Sequence, residues 1–189
     1  LPTLAVTLLL WIEQVLEAPY LWKTAAKALF FLAIPLLFLK VKKFDFLHMR
    51  KTQKISIFIA IVIGFAVMMT ILGAFIFLRS SIDLNSLQVD LETRVGVTAL
   101  VFPIVALYIL IGNSFLEEFY FRGLLIDFLK ESKLKWILPS FFFAIYHVAI
   151  FLPWFEWPIL IVAVVGLFIG GLLFQWINEA SGTIYPSWI

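Results

Sequence analysis

Residues 55–78 read ISIFIAIVIGFAVMMTILGAFIFL, 24 positions without a single charge. Crossing the roughly 30 Å of bilayer hydrocarbon takes about 20 apolar residues in an α-helix, so this stretch predicts a membrane span. It shows no period-two alternation of polar and apolar residues, which argues against a transmembrane barrel strand. Working outward with the same criterion, segments 1–18, 24–39, 95–116, 134–152 and 158–176 also qualify, giving six predicted spans. The fold class expected is all-α, a polytopic membrane helix bundle forming one domain over residues 1–189. The apolar phrase Thr183–Ile189 reads as the opening of a seventh span, and a further one is expected beyond the supplied ends.

Composition agrees. Of 189 residues 63% are apolar and 14% charged, against roughly 45–50% and 25% in soluble domains. A soluble globule of this size cannot hide so much apolar surface. Fourteen basic against 12 acidic residues leave no strong field for an acidic partner, and no nucleic-acid binding is expected. The absence of cysteine excludes disulfides and thiolate metal sites.

The lysines and arginines of short loops set orientation. The loop 40–54 carries Lys40, Lys42, Lys43, Arg50, Lys51 and Lys54 against Asp45, and is expected to be cytoplasmic. The segment 122–135, with Arg122, Lys130, Lys133 and Lys135, is expected on the same side. Trp22, Trp136, Trp154, Trp157 and Trp176 fall near predicted span ends, as interfacial aromatics do. Gly166 and Gly170, with Gly171 beside them, form a small-xxx-small step suited to close helix packing. Glu13 and Glu17 lie one helical turn apart near the outer end of the first span, where water accounts for both; His48 belongs to the basic loop.

The stretch with chemical content is Asn113-Ser114-Phe115-Leu116-Glu117-Glu118-Phe119-Tyr120-Phe121-Arg122-Gly123. Neighbouring helical residues point about 100° apart, so Glu117 and Glu118 cannot do the same job. Glu118 and Arg122 stand at i and i+4 and can pair. Glu117 shares its face with Asn113 and Phe121 and has no evident local counter-charge, which leaves it available as a general base. The alternative is that the helix leaves the membrane here and the charges meet water. His147, in Phe143-Ala144-Ile145-Tyr146-His147, lies deep in an apolar segment. There it is either hydrogen-bonded to a carbonyl as a structural group, or it orients a substrate, moves a proton or binds a metal. No His-Glu-x-x-His helix and no phosphate-cradling glycine loop is present.

Glu117-Glu118-x-x-x-Arg122 followed by Phe143-x-x-x-His147 resembles the CAAX protease and bacteriocin-processing family of intramembrane glutamate endopeptidases, also called the Abi family. The glycine-bearing segment 166–171 and the phrase 181–187 extend the likeness, which is good from about residue 95 to 189 and rests on hydropathy alone before that. The resemblance implies a helical membrane bundle with a cavity opening to cytosol and membrane, and peptide hydrolysis by a glutamate-activated water. It implies Glu117 as base, His147 as acid or carbonyl-binding group, and Glu118, Arg122, Phe143 and Asn113 in support. It also implies a further His-x-x-x-Asn or His-x-x-x-Asp motif beyond Ile189. No cofactor is expected, the alternative being a divalent metal such as zinc.

The function expected is therefore that of an intramembrane protease acting on a peptide or membrane-protein substrate near the cytoplasmic face. The rival is a non-catalytic protein of the same fold, serving as scaffold, chaperone or immunity factor in a membrane complex. A third reading, a small transporter subunit, lacks the inverted repeat such proteins show. The short loops and abundant Phe, Ile and Lys suggest a prokaryotic plasma membrane.

Overall fold

The computed structural model describes residues 2–14, 20–42 and 54–188. Among them are eight helices and no strand: α1 (Pro2–Gln14), α2 (20–42), α3 (54–81), α4 (84–95), α5 (Phe102–Phe128), α6 (Ile137–Phe151), α7 (Trp157–Ser181) and α8 (Tyr185–Trp188). Glu17, His48 and the basic stretch 43–53 lie outside the described residues, as does the side chain of Glu13, so the readings placed on them stand outside this description.

The chain is an all-α bundle of membrane-spanning character. Among the described residues four helices are long and apolar enough to cross a bilayer: Tyr20–Leu39, Ile57–Ser81, Phe102–Phe128 and Trp157–Ser181. Of the six expected spans, 134–152 is realised as a shorter apolar helix, and part of 1–18 lies outside the described residues. Helix α6 has 15 residues, or about 22 Å at 1.5 Å per residue. Helix α1 has 13 described residues, or about 20 Å. Helix α6 falls short of the hydrocarbon thickness, because the apolar stretch 134–152 that suggested a span includes the turns flanking it.

A second correction concerns the predicted span 95–116. The helix starts later, after a glycine at φ +77° (Gly96) and with Pro103 in its first turn, where a missing N–H costs nothing. It then runs on to Phe128, past Glu117, Glu118 and Arg122. Segment 122–135, whose basic residues were read as marking the cytoplasmic side, is helical to Phe128, and Arg122 is 2% exposed. The charges do not end the helix because partners inside the bundle neutralise them.

Three stretches of the long helices are wound as π-helix: 29–33 in α2, and 109–113 and 118–124 in α5. Such widenings recur at functional sites. In α2 the widening immediately precedes Pro35, which has no N–H for the carbonyl four residues back. The two inner π segments meet at the core. Phe31 is fully buried, stacked on Tyr120 at 4.2 Å and edge-on to Phe121 at 5.3 Å and Tyr146 at 5.6 Å. Helix α3, by contrast, is apolar all round and has no residue of its most hydrophobic window buried, as a lipid-facing span requires. Between α3 and α4 the Asp83 carboxylate caps α4, accepting from Asn85 N, Ser86 N and the Ser86 hydroxyl. The Ser86 bonds hold that carboxyl below the usual range.

The glycine step was misplaced by one residue. A Cβ added at Gly166 or Gly170 would meet nothing, whereas at Gly171 it would lie 3.0 Å from Ser140 Cβ, 3.1 Å from its Oγ and 3.2 Å from Arg122 Nη2. Helix α7 therefore approaches α6 and the Arg122 guanidinium at Gly171. Gly171→Leu is expected to cost about 1–3 kcal/mol by overpacking, read as a lower melting temperature in detergent. Gly170→Leu should melt with the parent, and equal melting of both variants would contradict this packing.

Candidate active site

Helix α5 divides its charges between two sides. Glu117, Glu118 and Arg122 are 7%, 5% and 2% exposed, which excludes the reading that they simply meet water. On one side Asn113 Nδ2 donates to Glu117 Oε1 at 3.0 Å, across the i, i+4 spacing read from the sequence. On the other, Arg122 Nη1 sits 3.0 Å from Glu118 Oε1.

Glu117 does have a counter-charge, contrary to the expectation from local spacing. Lys27, 90 positions away on α2, brings Nζ to 3.0 Å from Glu117 Oε1 and donates to Asn113 Oδ1 at 2.5 Å. The ammonium also lies 4.7 Å from the centre of the Tyr146 ring. Lys27 is 8% exposed. The lysine was missed because its partner is distant in sequence, yet a signal existed: a cation inside an apolar span is rarely idle.

His147, on α6, presents Nε2 to the same oxygen of Glu117 at 3.9 Å, too far for a direct hydrogen bond. Its other nitrogen, Nδ1, lies 2.8 Å from the Phe143 carbonyl. A carbonyl only accepts, so Nδ1 carries the proton and Nε2 is left to face the carboxylate. Glu117, His147, Lys27, Asn113, Tyr108 and Tyr146 all line one cavity of about 320 Å³, closed in part by apolar residues of α1, α4 and α6.

The Glu118 side is a packed polar network. Ser187 Oγ donates to Glu118 Oε2 at 2.5 Å and accepts from Asn178 Nδ2 at 2.7 Å. Trp188 Nε1 donates to the Ile111 carbonyl at 3.0 Å, in the π segment just before the acidic pair. The chain end described thus locks onto α5. The Arg122 guanidinium lies 3.9 Å above the Phe143 ring and 5.8 Å from that of Phe174. Phe143 consequently touches both halves, with its carbonyl on His147 and its ring on Arg122. Asn178 and Ser187 were not singled out in the sequence, since a serine or asparagine carries no mark of burial.

Among the described residues no three His, Asp or Glu side chains come together. Zinc takes three or four such ligands, and the one oxygen of Glu117 that faces His147 also receives an ammonium. These residues by themselves do not fit the zinc alternative.

Residues 99–189 match the family model described as type II CAAX prenyl endopeptidase Rce1-like. The match begins four residues from where the sequence likeness was placed and contains all six site residues read from the sequence. No curated protein and no solved structure matches the chain.

Proposed function

We propose, from the match of residues 99–189 to a family model of type II CAAX prenyl endopeptidases, that this membrane protein is an intramembrane endopeptidase with Glu117 as its general base. The observation that carries the proposal is the convergence of the Glu117 carboxylate and His147 Nε2, 3.9 Å apart, on one cavity. A buried, oriented carboxylate beside a histidine is what water activation needs. Glu117 takes a proton from water as the water oxygen bonds to the peptide carbonyl carbon. The C–N bond then breaks, and the leaving amine takes the proton back from Glu117. His147, tethered through Nδ1 to Phe143, turns Nε2 toward the same carboxylate and takes the acid or carbonyl-binding role once that nitrogen has accepted a proton. Glu118 and Arg122 hold α5 against α6 and α7.

One observation favours the non-catalytic reading: Glu117 Oε1 already receives Lys27 and Asn113, as in a structural ion pair. Mass spectrometry of synthetic peptides, with and without a prenyl group, incubated with the reconstituted protein decides between the two. Shortened peptides are expected. Intact peptides from a folded protein would favour the scaffold.

A further inference from the structure

Lys27 stands outside the matched residues 99–189 and outside the motifs that define the site, yet it lies 3.0 Å from the proposed base, as close as Asn113 does. We infer that Lys27 is a positioning residue: it supplies the counter-charge that lets Glu117 exist as a carboxylate within the bilayer and fixes which way that carboxylate points. The inference rests on the reading of Glu117 as a base.

Three features support it. First, the cost of an ionised carboxylate among apolar side chains is several kcal/mol unless a charge and hydrogen bonds offset it. Among the described residues the charged or titratable groups facing Glu117 come from three helices. Lys27 comes from α2, His147 from α6, and Tyr108 and Glu118, with its partner Arg122, from α5. Arg122 is engaged with Glu118, and His147 is at 3.9 Å, so Lys27 is the cation in contact with Glu117.

Second, Lys27, Asn113 and Glu117 form a closed triangle. Lys27 donates to both the amide oxygen and the carboxylate, and the Asn113 amide donates to the same carboxylate oxygen. A carboxylate gripped twice at Oε1 cannot rotate freely about its last bond.

Third, the grip is itself held. The Tyr146 ring lies 4.7 Å beneath the ammonium, and Tyr146 packs on Phe31 from the π segment that follows Lys27 in α2. Helix α2 is thereby docked so that its buried Lys27 reaches the base. Placement matters because a misplacement of about 1 Å at a catalytic group can cost about 100-fold in rate.

The test uses the full chain in proteoliposomes and compares parent, Glu117→Gln, Lys27→Met and Lys27→Arg. Infrared difference spectra of parent minus Glu117→Gln isolate the Glu117 band without any turnover. The parent is expected to show a carboxylate stretch, Lys27→Met a protonated-carboxyl stretch, and Lys27→Arg a carboxylate again. Turnover is expected to fall about 100-fold in Lys27→Met and to recover at least in part in Lys27→Arg, or when methylamine is added to Lys27→Ala. Should Lys27→Met fail to fold, Lys27→Arg and the amine-rescued Lys27→Ala carry the same comparison. A carboxylate band that persists without Lys27, or parental turnover in Lys27→Met while Glu117→Gln is dead, overturns the inference and leaves the protease reading standing. Parental turnover in Glu117→Gln removes the protease reading instead, while the spectra still decide whether Lys27 sets the state of Glu117.

Discussion

Glu117→Gln is expected to lower peptide cleavage by about 10²–10⁴-fold, the range that a positioned general base contributes. The amide keeps the volume of the carboxyl and an oxygen for Asn113 and Lys27, so the packing around α5 survives. It cannot take a proton from water at neutral pH. Because Lys27 sits 3.0 Å from that oxygen, the substitution also strands an ammonium, and some thermal stability should be lost with the activity. The double variant Lys27→Met with Glu117→Gln separates the two effects: it should melt above the single Glu117→Gln variant and remain inactive. Initial rates by mass spectrometry and melts in detergent supply both readouts. A Glu117→Gln variant turning over at the parental rate would show that the carboxylate is not the base.

The second large effect is structural. Arg122→Ala and Glu118→Ala are each expected to cost about 3–5 kcal/mol, the penalty for leaving one member of a buried ion pair unmatched. In Arg122→Ala the Glu118 carboxylate keeps the Ser187 hydroxyl but loses its counter-charge, and the Phe143 ring loses the guanidinium 3.9 Å above it. Lysine should not restore Arg122→Ala, because a compact ammonium cannot lie flat on that ring and reach Glu118 as well. Melting temperatures in detergent test this, and parental melting of Arg122→Lys would contradict the stacked, paired geometry.

Local spacing made part of this site legible and long-range geometry made the rest invisible. The pairs Asn113–Glu117 and Glu118–Arg122 obey the i, i+4 rule, which holds here even though α5 carries π-helix on either side of Glu117. His147 betrays itself as a polar group deep in an apolar segment, and its tether to Phe143 follows the same spacing. Lys27 could not be assigned a partner, because nothing in the sequence says that α2 packs beside α5. The end of α5 was read too early for a related reason. Charges at Glu117, Glu118 and Arg122 look like an exit from the membrane until each is seen to meet an opposite charge. Glycine spacing alone likewise could not tell that Gly171, rather than Gly166 or Gly170, faces Ser140 and Arg122.

The most direct measurement is peptide cleavage in water enriched in oxygen-18, comparing the reconstituted parent with Glu117→Gln. Hydrolysis driven by the Glu117 carboxylate predicts that the parent places one labelled oxygen in the new C-terminal carboxyl of each product. It also predicts that Glu117→Gln yields almost none of that product while remaining folded. Labelled product at equal rates from both proteins, or none from a folded parent, would contradict the assignment of this cavity as a protease site.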